Sequence, residues 1–431
     1  MRKINVGIIG AGTIGGGVAK TLLRKKSFFA KQLGVEINLA KVFDINKKAI
    51  AALEIKPSLV AKNIDDIVKN KEIDIVVELI GGLNPAKKFV LEALKNGKHV
   101  VTANKALLAD SGKEIFKQAL SSKVAIKFEA SVCGAMPVIK MIQESFVSND
   151  IKAMYGIVNG TCNYISTRMV EDNCSFEDAL ECAKQKGFAE SDPSFDIEGY
   201  DACHKLNILS MLAFGNFVNK KDMYVEGIKH LQLQDIEFAR QWGYDIKLLA
   251  IAKKKNDKIE LRVHPTLISL KHMLSAVKNE DNALFVKGDM VGNSMVYGKG
   301  AGRYPTASSV MADIIDIAGN PNIFEINKAM YERVQGKPSY EIAKIGDLFT
   351  RYYVRFATVD QTGVLARIAS VLAKHNISIS TVIQTPKTVS KEVTVVMLIH
   401  KAKEQNMVNA LKEINKLKVS KKKPVMIRIE D

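Results

Sequence analysis

The sequence predicts a three-part α/β protein, and three observations carry that prediction. A glycine turn, Gly10-Ala11-Gly12-Thr13-Ile14-Gly15, follows directly on an apolar run and opens a helix-like pattern. Residues 1–130 then alternate short apolar runs with helical segments, the order of βαβ units around a parallel sheet covered on both faces. Residues 351–431 follow the order strand, helix, strand, strand, helix, strand, which is the ferredoxin-like βαββαβ arrangement.

In the first part the strand-like runs are Ile4–Ile9, Ile37–Phe43, Ile73–Leu79, Lys98–Thr102 and Val124–Phe128. Pro85 and Gly97 bracket a helix through Asn96, with proline at the start and glycine at the stop. Residues 131–310 mix helices and strands less regularly, the pattern of an α+β domain. A helix through Phe176–Lys186 is marked by Ser175 and Asp178 at capping-box spacing and by Gly187 after it. Another runs from about Asp201 to Leu212. Residues 306–318 form an amphipathic helix that returns to the first domain. The expected division is 1–130 with the returning helix near 305–330, then 131–304, a linker at 331–349 around Gly336-Lys337-Pro338-Ser339, and 350–431. In the last part Val364, Ile368, Val371 and Leu372 fall on one helix face.

Composition narrows the function classes. At 431 residues the chain exceeds one ordinary core. With 47 % hydrophobic and 25 % charged residues it has the balance of a globular protein, so disorder is excluded. No run approaches the roughly 20 apolar residues of a membrane helix, and MRKINVGIIGAG is too short and glycine-punctuated for a signal peptide. The five cysteines are scattered and without a Cys-x-x-Cys, so reduced thiols in a cytoplasm are expected. The net charge of +17 could suggest nucleic acid, yet the lysines are spread along the chain and the run Lys421-Lys422-Lys423 reads as a solvated turn. Neither a nucleic-acid nor a membrane partner is expected.

The glycine turn is the signature of a dinucleotide-binding Rossmann domain. Its first glycine permits the turn, the second lets backbone approach a pyrophosphate, and the third lets helix pack on strand. Asp44, ending the second strand, would hold the ribose hydroxyls of NAD, whereas Lys47 and Lys48 could meet the 2′-phosphate of NADP, which is slightly favoured; the residues leave both open. Farther on, Asp201 and Lys205 stand four apart on one helix face. An exposed ion pair is the plain reading, but Ala202, Leu206, Ile208 and Leu209 make the helix a buried one, where lysine is seldom idle.

Asn159-Gly-Thr-Cys-Asn-Tyr164, Gly187-Phe-Ala-Glu-Ser-Asp-Pro193 and Asp196-Ile-Glu-Gly-Tyr-Asp201 with Lys205 resemble the signature segments of homoserine dehydrogenases. So do Thr102-Ala-Asn-Lys105, Glu129-Ala-Ser-Val-Cys-Gly134 and Gly300-Ala-Gly302, and the matches run in order over about residues 1–330. Asp360-Gln-Thr-Gly-Val-Leu with its helix resembles an ACT domain, an amino-acid-sensing module. The resemblance implies reversible hydride transfer between a nicotinamide cofactor and homoserine or aspartate 4-semialdehyde, in threonine, methionine and isoleucine synthesis.

Residue by residue, it implies Lys205 as acid/base and Lys105 as a second lysine beside it, with Glu190 and Asp201 binding substrate. A free lysine, with a pKa of about 10.4, suits proton exchange near neutrality poorly, and burial beside a like charge would lower it. Thr13, Ile14, Thr102, Lys105, Gly187 and Gly302 join Gly10, Gly12 and Gly15 as implied cofactor contacts. A monovalent cation, sodium being typical, is implied at Glu129 with the carbonyls of Val132, Gly134 and Met136; from the residues alone this is a tight turn. The resemblance also implies a homodimer or higher oligomer, with threonine as ligand of the ACT domain. There Gly363 would leave helix N–H groups open to a carboxylate. A flexible junction would let a chain ending at about Leu348 stay active. Against these stand a thiol-dependent aldehyde dehydrogenase using Cys133 or Cys162, which lack an evident histidine partner, and a DNA-binding regulator, which lacks a helix-turn-helix.

Overall fold

Runs of branched residues, too short for helices, build the first sheet. In the computed structural model β1 (Arg2–Ile9), β2 (Val35–Phe43), β3 (Ile75–Glu78), β4 (His99–Thr102) and β5 (Ile126–Lys127) lie parallel in the order β2-β1-β3-β4-β5. The remaining strands are β6 (Ile151–Ile157), β7 (Tyr224–Val225), β8 (Tyr244–Lys255), β9 (Lys258–Ser269), β10 (Asp281–Gly288), β11 (Gly292–Lys299), β12 (Glu341–Ile342), β13 (Phe349–Val359), β14 (Ile379–Pro386), β15 (Glu392–Lys403) and β16 (Val425–Glu430). The structure describes residues 2–215, 217–386, 392–417, 419 and 422–430; of the run Lys421-Lys422-Lys423, Lys421 lies outside them.

The chain folds as two units: Met1–Lys152, His204–Lys220 and Asn282–Tyr340 in the first, Ala153–Cys203, Lys221–Asp281 and Glu341–Asp431 in the second. In the first, helix Thr13–Arg24 buries Val18, Ala19 and Leu22 in one core with Val310, Met311 and Ile314 of helix Arg303–Gly319. That helix is the expected returning one. A further helix, Ile323–Gln335, packs there too, its Tyr331 hydroxyl accepting from the Ile126 N–H at 2.8 Å and donating to the Ile126 carbonyl at 3.0 Å. The expected linker from 331 is therefore helical up to Gln335, because Tyr331 and Val334 are buried.

In the second unit the strands run β6-β8-β9-β16-β13-β15-β14, with β7 and β12 both pairing with β9. The part β16-β13-β15-β14 is the expected antiparallel ferredoxin-like sheet. Val364, Ile368, Val371 and Leu372 of helix Val364–Lys374 are buried in its core beside Met407, Ala410 and Ile414 of helix Glu404–Lys416. Its last strand also pairs in parallel with β9, Arg428 opposite Thr266 and Glu430 opposite Ile268.

Three buried ion clusters cross that seam. Arg355 on β13 makes a bidentate pair with Asp235 at 2.6 and 3.0 Å, and the Tyr353 hydroxyl donates to the same carboxylate at 2.8 Å. Glu430 accepts from Arg262 at 2.5 Å and from Lys253. Burial alone would raise the Glu430 pKa, but Arg262 and Lys253 outweigh it and hold the carboxyl below its ordinary range. Arg428 bridges Glu404 and Glu226 at 2.5 and 2.8 Å.

The junction before Phe349 is thus not a flexible tether between independent bodies. Removing one partner of a buried ion pair costs about 3–5 kcal/mol, and a chain ended after Leu348 would take Arg355 from Asp235, Glu430 from Arg262 and Arg428 from Glu226 and would uncover β9 together. Such a truncation is expected to melt many degrees below the full chain or to aggregate, read by scanning fluorimetry and light scattering. A soluble truncation with an unchanged Tm would show the seam to be dispensable.

Candidate active site

The cofactor end of the site starts at the turn after β1. Gly10 has φ +103°, a region that side chains avoid, and donates its N–H to Phe43 O at 2.8 Å. A Cβ on Gly15 would lie 1.8 Å from Gly10 O, so the helix reaches the strand only with glycine there. No side chain caps the N-terminus of helix Thr13–Arg24 at Gly12, and the space at the missing Gly12 side chain is open. Thr13, Ile14 and Gly15 hence begin a helix without a side-chain cap, a terminus of the kind that suits a pyrophosphate. Asp44 caps the turn: its carboxylate accepts from Ala11 N at 2.6 Å and from Asn46 N at 2.8 Å.

The ends of β3 and β4 hold a carboxylate that sequence reasoning missed. Glu78 is fully buried and accepts from Ile80 N at 2.9 Å, Gly81 N at 3.2 Å and the Thr102 hydroxyl at 2.7 Å. Burial raises its pKa, opposed by those donors. Thr102 Oγ1 in turn accepts from Asn104 N, and the Asn104 side chain accepts from Leu107 N at 3.0 Å while donating to Gly82 O at 2.7 Å. Asn104 is the cap of helix Lys105–Ser122, so this network fixes where Lys105, its first residue, begins.

In the second unit the organiser is Asn159. Its side-chain oxygen caps helix Gly160–Glu171 through Cys162 N at 2.8 Å, and its amide donates at 2.8 Å to both Asp196 and Asp201. The Thr161 hydroxyl donates to Phe188 O at 2.6 Å, tying down the segment that follows Gly187 (φ +74°). Helix Phe176–Gln185, which leads into that segment, is capped by Ser175, whose oxygen accepts from Asp178 N at 3.1 Å; the Asp178 carboxylate takes the Ser175 hydroxyl and does not reach back to backbone. Glu190 is exposed and, among the described residues, makes no side-chain hydrogen bond. Asp201 and Lys205, one turn apart on helix Tyr200–Phe214, are 2 % and 8 % exposed, so the buried reading of that helix holds. Asp201 belongs to the second unit with Glu190 and Gly187, whereas Lys205 belongs to the first with Lys105 and the glycine turn.

The loop expected to hold a cation is buried. Glu129 accepts from Ile139 N at 2.8 Å and Lys140 N at 2.9 Å, and its own N–H donates to Asp313 at 2.8 Å. Burial pushes Glu129 up to about 6 and, together with the nearby Glu129, pushes Asp313 up to about 8. The Val132 and Gly134 carbonyls accept no hydrogen bond among the described residues, whereas Met136 O accepts from Val138 N. Gly302 (φ +118°) caps helix Arg303–Gly319, and a Cβ on Gly134 would strike Gly300 O at 2.4 Å, so the two glycine segments pack backbone to backbone. Cys133 and Cys162 are fully buried, and the Cys162 thiol donates to Asp196 O at 3.3 Å; both fit packed thiols, since a reactive one needs access.

Glu78 had one sequence signal, a lone acid at the end of an otherwise apolar strand. Glu78→Ala would leave the buried Thr102 hydroxyl without its acceptor, at a cost of about 1–3 kcal/mol, and would release the Ile80 and Gly81 N–H groups of the turn. A Tm drop of several degrees is expected, smaller for Glu78→Gln, which keeps an acceptor. An alanine variant melting with the wild type would remove Glu78 from this frame.

Comparison with known proteins places the chain in a family. The homoserine dehydrogenase family matches residues 137–315, the homoserine dehydrogenase NAD-binding domain residues 10–129, and the ACT domain residues 352–419. The chain is 41 % identical to a homoserine dehydrogenase of Neisseria gonorrhoeae, covering all of this chain and 99 % of that one. It is 39 % identical to that of Helicobacter pylori over the whole of both. The crystal structure of a homoserine dehydrogenase from Thiobacillus denitrificans superposes with a TM-score of 0.93 at 40 % identity, covering 100 % and 99 % of the two chains. On this evidence the chain belongs to the homoserine dehydrogenase family.

Proposed function

We propose that Lys205 moves the proton of this family's reaction, that Glu190 and Asp201 hold the amino-acid end of the substrate, and that Lys105 stands beside substrate and cofactor. The chain itself is an NAD(P)-dependent oxidoreductase acting on an alcohol/aldehyde pair, homoserine and aspartate 4-semialdehyde. The observation that carries the proposal is the Asn159 amide, which donates to two acidic residues next to the start of the helix bearing Lys205.

The nicotinamide, when bound, supplies the hydride acceptor or donor. Lys205 Nζ, uncharged, takes the substrate hydroxyl proton as the carbon loses hydride, and in reverse its ammonium returns that proton. Asp201, oriented by Asn159, and Glu190 pair with the substrate ammonium. Gly12, Thr13, Ile14 and Gly15 present N–H groups to the pyrophosphate while Gly10, its own N–H held by Phe43 O, shapes the turn, with Thr102, Lys105, Gly187 and Gly302 as further contacts. NADP is favoured over NAD, supported by Asp44 being engaged with backbone while Lys47 and Lys48 open the next helix beside it. A hyperthermophilic archaeal homoserine dehydrogenase in complex with NADPH, 27 % identical over 73 % of this chain with a TM-score of 0.62, supports the same choice. Comparing KM for NADPH and NADH decides it.

The functional division follows as cofactor-binding 1–130 with 305–330, substrate-binding and dimerisation 131–304, and sensing 350–431 joined by 331–349. Threonine is proposed as the sensed ligand at Gly363 (φ +83°), where helix Val364–Lys374 starts without a side-chain cap; calorimetry with threonine tests it. A homodimer or higher oligomer is supported by β14, an edge strand of its sheet, and light scattering reads its size. A cytoplasmic setting is part of the same proposal, tested by fractionation; no described helix is long and apolar enough to cross a membrane.

Lys205→Ala should lose about 10²–10⁴-fold in kcat with cofactor binding retained. Glu190→Gln should raise homoserine KM more than it lowers kcat, as loss of ground-state binding does. Normal turnover in a folded Lys205→Ala protein, or a collapse of kcat at fixed KM in Glu190→Gln, would reverse the assignments.

A sodium ion at Glu129, Val132, Gly134 and Met136 is part of the same proposal. Glu129 and Asp313, raised by burial and close to each other, are acids that a cation would relieve. Their folded pKa values exceed the unfolded ones, so their contribution to stability is lost as pH rises from about 4 to about 8. Sodium at ten times its Kd should therefore stabilise the fold at pH 8.5 by about 1.4 kcal/mol, read as a higher Tm, and far less at pH 5.5. Glu129→Gln should abolish the effect. A pH-independent or absent response would exclude the ion.

A further inference from the structure

We infer that Arg428, on the last strand of the chain, is a positioning residue for substrate: through Glu226 it fixes the segment Asp196–Asp201 that Asn159 organises. Arg428 is 1 % exposed and its guanidinium is shared between two carboxylates. On the ACT side it meets Glu404, Nε to Oε2 at 3.1 Å and Nη2 to Oε1 at 2.5 Å. On the other side Nη1 donates to Glu226 Oε2 at 2.8 Å, Nη2 donates to the Tyr224 hydroxyl at 2.9 Å, and the group lies 4.6 Å from the Tyr224 ring centre. The Tyr224 hydroxyl in turn donates to Glu226 Oε2 at 2.6 Å, closing a triangle.

Glu226 is where this triangle meets the substrate segment. Its N–H donates to Val263 O at 2.8 Å, which continues β7 along β9. The next residue, Gly227, lies so close that a Cβ there would fall 2.1 Å from Ile197 O and 2.5 Å from Glu198 Cα. Ile228 N donates to Ile197 O at 2.8 Å. Gly199 (φ +87°) sits against the same support, its absent Cβ 3.2 Å from Val225 and 3.5 Å from Glu226 O. One residue before Ile197 is Asp196, and two after Gly199 is Asp201, both held by Asn159. From Arg428 to the acids of the site the path is one side-chain contact, to Glu226, followed by the backbone contacts of residues 226–228 with Ile197–Gly199, all inside the second unit.

The arrangement gives the ACT domain a direct hold on substrate affinity. Any state of that domain that moves Glu404 or β16 changes how Arg428 divides itself between Glu404 and Glu226. A ligand controls the enzyme by preferring one of those states. The regulatory consequence rests on the sensing role proposed for 350–431; the positioning role does not.

The test uses the full-length oligomer with Glu226→Gln, which keeps the shape of the side chain and removes its charge, and Tyr224→Phe, which removes the bridging hydroxyl. Neither strands the deeply buried Glu404, and thermal melting confirms the fold of each. A hydrogen bond to a charged group carries roughly a tenfold effect or more. Amide exchange of peptides covering 194–203 should therefore speed up by about tenfold, homoserine KM should rise by a similar factor, and kcat and the KM of the nicotinamide cofactor should stay near wild type. The double variant should lose little more than the worse single one, because the two side chains act as one triangle. Unchanged exchange in folded Glu226→Gln overturns the inference. Faster exchange with an unchanged homoserine KM upholds the positioning by Arg428 and instead sinks Asp201 as a substrate ligand, so the two failures are distinct.

Discussion

A guanidinium taken out of water costs several kcal/mol unless carboxylates and other acceptors meet most of its donors. Arg428 meets that condition only when three segments distant in sequence converge: the strand that bears it, the helix starting at Glu404 and the loop at Glu226. Burial would disfavour its charge, yet Glu404 outweighs this and holds its pKa above the ordinary value. Satisfying that one residue places β16 beside β9 and so makes one sheet of what reads in sequence as two domains. Arg355 with Asp235 and Arg262 with Glu430 repeat the solution on either side, and the Tyr353 hydroxyl joins the first of them. The alternation Ile427, Arg428, Ile429, Glu430 has the period of a half-exposed strand, but here both faces are buried, one by apolar packing and one by ion pairing.

This is also the reason the sequence misled about the junction. Period, capping residues and glycine stops are local, and they placed the five strands of the first sheet, helix Ala86–Lys95 and the four buried apolar positions of helix Val364–Lys374 within a residue or two. Which elements share a body is decided by partners 100 to 200 residues away, such as Asp235 for Arg355 and Glu226 for Arg428. No window of sequence contains both halves of such a pair. The glycine and proline near 336–339 looked like a hinge because the ties around them are invisible locally.

The site divides along the same line. Lys205 and Asp201 could be singled out from spacing and from the apolar residues around them, and their burial follows. Asn159 was visible only as part of a motif; that one amide serves both Asp196 and Asp201 is a tertiary fact. Glu78 and Asp313 went unremarked although each is an acid set in an apolar run, the pattern that Glu78 ending Ile-Val-Val and Asp313 within Met-Ala-Asp-Ile-Ile share. A charge that interrupts an otherwise buried stripe is either a fault or a function, and such positions repay the question of what satisfies them.

The partners chosen for buried acids distinguish scaffold from site. Asp235, Glu404 and Glu430, which tie the sheet together, are met by arginines, and a carboxylate cancelled by a guanidinium has little charge left for anything else. Glu78 and Glu129 are held by backbone N–H groups, with a hydroxyl added at Glu78, and Asp196 and Asp201 receive the Asn159 amide. The neutral donors at Glu78 and Glu129 orient each carboxylate without neutralising it. The cost is visible where no cation is close enough to offset burial: Glu78, Glu129 and Asp313 all have pKa values pushed upward. A chain under pressure for stability alone would have paired or replaced those acids with apolar residues. Arginine partners thus tie separate elements together at Asp235, Glu404 and Glu430, whereas backbone and hydroxyl donors at Glu78 and Glu129 fix where each carboxylate sits within its own loop.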